Sequence, residues 1–135
     1  IIFDWDEVLN FNGETGPYVQ YTHARYCSML RRFEGTLSPE SVDFEKLNET
    51  ETLEVVKCLE RYPKQIQKAA KDHEPSVVAN YLIELCTVAN RFYNAHQVIS
   101  DDTELTQSRV ALVYAIKTVL ASGLTLLGMK APERM

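Results

Sequence analysis

The sequence predicts an all-α fold, a bundle of about five to six helices, and three observations support this prediction. Apolar residues recur in several long segments at the i, i+3, i+4 and i+7 spacing of a helix face. No segment shows the sustained alternation of apolar and polar residues that is typical of a strand. The chain has 135 residues, of which 45% are hydrophobic and 24% charged. We therefore expect residues 1–135 to form a single domain.

Glycine and proline residues divide the first third of the chain. Asp4 precedes a short helical stretch, and Gly13 ends it. A long helix is predicted from Pro17 to Arg32, because proline is tolerated at the first helical position and Gly35 follows as a stop.

The middle of the chain is predicted to contain a loop and then helices. Residues 37–48 are interpreted as a loop with a short helical piece. Asn48 or Thr50 then caps a helix that extends to Tyr62, and Pro63 either kinks this helix or opens a new one. Three apolar residues of this helix are predicted to face inward: Leu53, Val56 and Leu59.

The second half of the chain contains two long amphipathic segments. The first is predicted to span residues 75–93, with six residues on its inner face: Val78, Tyr81, Leu82, Leu85, Ala89 and Phe92. Residues 95–107 are polar and acidic in part, which predicts a mobile loop. A final helix from Ser108 to Gly128 has five inward residues: Val113, Ile116, Leu120, Leu124 and Leu127.

The charge of the chain restricts the ways in which it could bind nucleic acid. Its net charge is −5, whereas proteins that hold nucleic acid by bulk electrostatics are usually strongly basic. Any contact with RNA must therefore be local. One stretch, which we call the basic run, is either a solvated helix face or a phosphate contact; it comprises Lys57, Arg61, Lys64, Lys68 and Lys71.

Cysteine and histidine positions argue against metal binding and against catalysis. Cys27, Cys58 and Cys86 are far apart, so neither a disulfide framework nor a cysteine zinc site is indicated, and a reducing, cytoplasmic location fits best. His23 lies four residues before Cys27, but two potential ligands without a third seldom form a metal site. Two other histidines have no nucleophile partner in their sequence surroundings; they are His73 and His96.

The ends of the chain and its hydropathy lead to two further expectations. The first residue is Ile1, and no secretory signal follows it, so we expect the chain to be a fragment of a longer protein. No window approaches the roughly 18 uninterrupted apolar residues of a membrane span. We therefore expect no membrane partner.

One constellation indicates a binding function. In the segment from Gly13 to Arg25, Tyr18, Tyr21 and Arg25 are three and four residues apart and share one helix face. Aromatic rings that stack a base, beside a forked donor, are typical of proteins that recognise unpaired RNA. Helical tyrosines are more often packing residues, and this is the interpretation for Tyr26, Tyr81 and Tyr114.

Four stretches together resemble the C-terminal part of arginyl-tRNA synthetase, a class I aminoacyl-tRNA synthetase. They are Phe3-Asp4-Trp5, residues 13–25, the helix from Tyr81-Leu82 to Phe92-Tyr93, and Gly123-Leu124 through Gly128 to the terminal Pro132-Glu133-Arg134-Met135. The resemblance implies an all-helical anticodon-binding domain of the type named after a DALR tetrapeptide. The literal tetrapeptide is absent, and the corresponding final helix begins Gln107-Ser108-Arg109-Val110-Ala111-Leu112.

The resemblance also implies which residues contact the anticodon of an arginine tRNA. They are Tyr18, Tyr21, Arg25, Tyr93 and Met135. Arg25 would read the acceptors of the middle anticodon cytosine, and Tyr93 would serve as its stacking platform.

The resemblance further implies a non-catalytic fragment of a larger enzyme. The adenylate-binding HxGH signature of the family and its lysine-bearing nucleotide loop are absent from this sequence. The complete enzyme would join arginine to its tRNA using ATP and magnesium, and this fragment would bind neither cofactor. The alternative is a helical protein-interaction module, because interfaces also favour tyrosine and arginine. The oligomeric state is left open.

Overall fold

The structure is a computed structural model and describes residues 15–135. This part of the chain forms five α-helices: α1 (Gly16–Arg32), α2 (Thr50–Glu60), α3 (Tyr62–Asp72), α4 (Pro75–Ala95) and α5 (Thr103–Leu126). Two short 3-10 helices, Pro39–Ser41 and Phe44–Lys46, lie in the predicted loop between α1 and α2. No strand occurs in the described residues, and the all-α prediction is confirmed. The stretch from Phe3 to Gly13, with its predicted helical turn and family motif, lies outside them.

Helix α4 is the central element of the bundle and packs against the four other helices. Pro75 occupies its first turn, where the missing N–H costs no helical hydrogen bond. All six residues predicted for its inner face are buried in one apolar cluster with residues of α1, α2 and α5. The helical periodicity of the sequence therefore identified both the helix and its buried face.

Helix α5 begins at Thr103, five residues before the predicted start, so the prediction of a loop over residues 95–107 is wrong in its second half. The Asp102 carboxylate accepts a hydrogen bond from the Leu105 N–H at 3.1 Å and caps the helix. Glu104 lies in the first turn, where the helix dipole favours an acid. The acidic stretch interpreted as a loop is thus in part a helix N-terminus.

Helix α5 is also long and apolar enough to span a membrane by length and composition. One face of it, however, packs inside the bundle: Ile116, Leu120 and Leu124 are each 0% exposed. Gly123 on the same helix allows a close approach to α4, because a Cβ there would lie 2.5 Å from Leu82 Cδ2. Its hydropathy is therefore that of a core helix.

Helix α2 is rotated relative to the prediction. Its buried residues are Thr52, Val55 and Cys58. Of the three residues predicted to face inward, Val56 and Leu59 are partly buried against the core, whereas Leu53 is 42% exposed. The rows 52-55-58 and 53-56-59 are neighbours on a helix, and only packing against α4 selects between them. The N-cap position belongs to Glu49, so the prediction of Asn48 or Thr50 as the cap is also wrong.

The tyrosines interpreted as packing residues differ in their burial. Tyr26 and Tyr81 are buried, and their hydroxyls donate to the carbonyl oxygens of Ala89 at 2.7 Å and Cys58 at 2.6 Å. Burial raises the pKa of both phenols. Tyr114 is 52% exposed and fits the packing interpretation least well.

Candidate nucleic-acid interface

A cleft of about 390 Å³ opens where α1, the end of α4 and the last residues of the chain meet. Because four arginines line it, we call it the arginine cleft. Its lining residues are Tyr21, Ala24, Arg25, Ser28, Arg31, Arg32, Tyr93, Arg134 and Met135. The structure therefore brings together Tyr21, Arg25, Tyr93 and Met135, four of the five site residues predicted from the sequence. Tyr18 does not line the cleft.

Arg25 lies at the centre of this arrangement, between two aromatic rings. Its guanidinium carbon is 4.3 Å from the centroid of the Tyr93 ring and 5.5 Å from that of Tyr21. Both distances are in the range of cation–π interactions. Arg25 thus covers part of the Tyr93 ring, and the half-exposed Tyr21 ring is the more accessible of the two.

Asn90 links Tyr18 to this cluster, although Tyr18 lies outside the cleft. The Arg25 guanidinium donates to Asn90 Oδ1 at 3.2 Å, and Asn90 Nδ2 donates to the Tyr18 hydroxyl oxygen at 2.8 Å. Asn90 was not among the residues predicted from the sequence. Its signal was the i, i+3 spacing to Tyr93, which places both residues on one face of α4.

The cleft is strongly basic on a chain whose net charge is −5. Arg31 and Arg32 come from the last turn of α1, and Arg134 comes from the C-terminal tail. From the sequence, Arg31 and Arg32 were predicted only as the end of a helix. The local concentration of guanidinium groups gives the cleft the chemistry needed to bind a phosphate or the acceptor edge of a base.

The C-terminal tail, residues 130–135, lies along α1. Its backbone carbonyl oxygens accept three side-chain hydrogen bonds from that helix: Gln20 Nε2 to Lys130 O at 2.9 Å, His23 Nδ1 to Pro132 O at 2.8 Å, and Arg31 Nη1 to Glu133 O at 3.0 Å. These contacts bring Arg134 and Met135 to the cleft.

A second cleft of about 540 Å³ adjoins the first and shares Arg32 and Tyr93 with it. The other residues lining it are Met29, Asn94, His96, Gln97, Val98 and Ile99. Arg109 holds the loop that follows α4, since its guanidinium donates to Gln97 O at 2.7 Å and to Glu49 Oε1 at 2.9 Å. Arg109 belongs to the stretch that corresponds to the family's tetrapeptide.

The basic run lies elsewhere on the bundle. Arg61 is paired with Glu84, Nη2 to Oε1 at 2.7 Å, and lies 5.8 Å from the Tyr81 ring centroid. Tyr81 and Tyr93 are twelve residues apart on α4, or roughly 18 Å at 1.5 Å per residue. The four lysines of the run are exposed, and none of its residues lines the arginine cleft.

His23 and Cys27 do approach one another, with Cys27 Sγ 3.6 Å from His23 Nε2. Within residues 15–135, no three His, Cys, Asp or Glu side chains are grouped so as to hold a metal ion. His96 lies 3.5 Å from a Glu51 carboxylate oxygen, Nε2 to Oε1, and His73 is the left-handed C-cap of α3. Each of these three histidines therefore has a structural position.

Comparison with known proteins identifies the family of this chain. The sequence model of the family described as DALR anticodon binding domain matches residues 19–135. The arginine-tRNA ligase of Enterococcus faecalis is 47% identical over 133 residues, which are 98% of this chain and 23% of that protein. That of Alkaliphilus metalliredigens is 42% identical over 135 residues, 100% of this chain and 24% of that protein.

A solved structure shares the fold of this chain. The arginyl-tRNA synthetase of Thermus thermophilus matches with a TM-score of 0.82 at 36% identity, over 98% of this chain and 23% of that one. The chain thus spans about a quarter of the length of the relatives it matches, and the resemblance inferred from its motifs is confirmed. The chain belongs to the DALR anticodon-binding domain family.

Proposed function

We propose that this chain recognises the anticodon loop of an arginine tRNA as part of an arginyl-tRNA synthetase, and that the arginine cleft is the site of recognition. The observation that carries the proposal is the clustering of Tyr21, Arg25, Tyr93 and Met135 in one basic cleft. Unpaired RNA bases are held by stacking on aromatic or guanidinium planes and by donors at their edges. The cleft offers aromatic rings, guanidinium planes and N–H donors.

Arg25 is the proposed reader of the middle anticodon cytosine. Its position over Tyr93 and its hydrogen bond to Asn90 orient the guanidinium, so less freedom is lost on binding. Cytosine presents O2 and N3 as acceptors to such a fork. Uracil carries a hydrogen on N3. This N3–H would face a guanidinium N–H, and neither of these two donors would have an acceptor. The proposed site therefore prefers cytosine.

The other cleft residues have supporting roles in this proposal. The half-exposed Tyr21 ring and the uncovered part of Tyr93 stack bases, Met135 closes one side, and Tyr18 contacts the loop beside the cleft. The cleft arginines outside the Tyr93 stack, Arg31, Arg32 and Arg134, bind phosphates.

Joining arginine to tRNA would fall to the rest of a longer protein, which would bind ATP and magnesium in the cytoplasm. The contribution of this domain to catalysis is then positional. A correctly bound anticodon loop sets the approach of the acceptor end to the active site, so the loss of a loop contact lowers aminoacylation as well as affinity.

The test is binding of the 135-residue chain to an arginine tRNA anticodon stem-loop and to a copy with uracil in place of the middle cytosine. Fluorescence anisotropy at two salt concentrations gives the two dissociation constants. We expect a preference for cytosine of roughly 5- to 150-fold, which corresponds to the 1–3 kcal/mol of a good bidentate base contact. This preference should persist at the higher salt, while overall affinity falls.

Equal binding of the two stem-loops would overturn the assignment of Arg25 as the base reader. If neither RNA binds, the alternative of a helical protein-interaction module is favoured. An apolar protein contact at the exposed tyrosines would show little of the steep salt dependence that phosphate binding produces.

A further inference from the structure

The three hydrogen bonds that hold the C-terminal tail on α1 differ in their surroundings. Those from Gln20 and Arg31 are exposed to solvent. The His23 side chain is 1% exposed, and its bond to Pro132 O is the shortest of the three at 2.8 Å. A buried polar group that loses its partner costs about 1–3 kcal/mol, so the His23 contact is the one that undocking of the tail would penalise most.

The partner of His23 is suited to fixing the direction of the chain. Pro132 has no N–H, and its ring restricts φ, so its carbonyl is the one backbone group it offers to α1. Arg134 and Met135, two and three residues later, line the arginine cleft. A carbonyl held at Pro132 thus restricts where these two side chains lie.

We propose that His23 is a positioning residue that latches the C-terminal tail through Pro132 and thereby holds Arg134 and Met135 in the arginine cleft. The significance of the latch for RNA binding rests on the function proposed above, but the latch itself does not. His23 does not line the cleft, so its effect on binding is exerted through the tail.

The surroundings of His23 favour a neutral ring that donates through Nδ1. A carbonyl oxygen accepts, so Nδ1 carries the hydrogen. The Cys27 sulfur on the same helix lies 3.6 Å from Nε2 and 3.8 Å from Nδ1. Burial lowers the pKa of His23, while the Pro132 bond and the Glu133 carboxylate of the tail raise it and Lys117 of α5 lowers it further. The net result is a lowered pKa, which favours the neutral ring.

The first test reports on the tail without RNA. The chain is labelled on its methionine methyl groups, and the Met135 resonance is followed by NMR in the wild type, in His23→Leu and in His23→Asn. Leucine removes the donor, and asparagine places an amide N–H near the position of Nδ1. We expect the Met135 signal to move to the position of a mobile terminal methionine in His23→Leu and to return toward the wild-type position in His23→Asn.

The second test uses the anticodon stem-loop. We expect His23→Leu to weaken binding by the same factor as deletion of Arg134 and Met135. The variant that combines both changes should bind no more weakly than either one alone, within about a factor of two. A residue that only stabilised the fold would give additive losses. Additive losses, or an unmoved Met135 signal in His23→Leu, would overturn the proposal.

A third measurement covers the case in which His23→Leu does not fold. Long-range ¹H–¹⁵N spectra of the wild-type chain identify the tautomer of His23, and we expect the Nδ1–H form. Deletion of residues 131–135 should abolish that preference, whereas an Nε2–H ring in the intact chain would overturn the latch. If the wild type binds no stem-loop, the proposed function fails, yet both NMR measurements still decide the role of His23.

Discussion

The arginine cleft and the basic run are both cationic surfaces, but their side chains are held very differently. In the cleft, Arg25 is stacked on Tyr93 and hydrogen-bonded to Asn90, and Arg31 is bonded to the tail. In the basic run the lysines are exposed. The run's one arginine, Arg61, is already paired with Glu84.

This difference separates two kinds of contribution to RNA binding. An oriented guanidinium presents its donors in a fixed plane and can distinguish one base edge from another. An exposed ammonium is a mobile point charge that attracts any phosphate and carries no sequence information. The cleft is therefore expected to govern identity, and the basic run at most the salt dependence.

The largest effect is expected at Arg25. Arg25→Ala should abolish the preference for the middle cytosine, a loss of roughly 5- to 150-fold in discrimination, because it removes a fork worth about 1–3 kcal/mol. Arg25→Lys is the matched control, since it keeps the charge but not the planar fork. It should retain more affinity and equally little discrimination. A lysine variant that still prefers cytosine would contradict recognition by the fork.

An effect of similar size, but on affinity for both stem-loops and not on discrimination alone, is expected at Tyr93. Tyr93→Ala should weaken binding to both stem-loops by about 1–3 kcal/mol, the usual value of one stacking ring, and should also release Arg25. Tyr93→Phe keeps the ring and should bind like the wild type. Anisotropy titrations of the two variants separate these cases, and equal losses in both would assign the effect to the hydroxyl instead of the ring.

A small effect is expected in the basic run. If Lys64 contacts a phosphate, Lys64→Ala should reduce the slope of log K against log salt by about 1 and leave the cytosine preference intact. The neighbouring Gln65→Ala has no charge to lose and serves as the control. A slope that does not change would identify the run as a solvated helix face.

The smallest effect concerns pH. Because the pKa of His23 is lowered in the folded chain, the unfolded chain binds more protons below the ordinary value of 6.5. The stability that this histidine contributes is complete above pH 6.5 and is lost as the pH falls below it. Urea unfolding at pH 7.5 and 5.5 should show a larger loss for the wild type than for His23→Asn, and equal losses would contradict a neutral His23.

The sequence predicted the parts of the molecule that depend on local spacing. The bounds of α1 and the inner face of α4 follow from periodicity and from Gly and Pro signals. The sequence did not predict the rotation of α2, because two neighbouring rows of that helix, 52-55-58 and 53-56-59, were both sufficiently apolar. It also failed at the start of α5, where polar and acidic residues fit a helix N-terminus as well as a loop.

The residues of the candidate site also include some that the sequence predicted and some that it did not. Tyr21 and Arg25 share a helix face by spacing alone, and the resemblance added Tyr93 and Met135. The spacing of Asn90 to Tyr93 places it on the same face of α4, but its bonds to Tyr18 and Arg25 span 72 and 65 residues of sequence. No local pattern encodes contacts of that range.

By itself, the sequence determined that this chain is helical, which faces of α1 and α4 are buried or polar, and which family it resembles, because each of these is written in spacing or motif. Only the tertiary structure decided that Arg25 rests on Tyr93 and that the tail returns to α1 through His23. The physical reason is that such contacts depend on how helices cross. Crossing is set by packing over the whole core, not by any one segment.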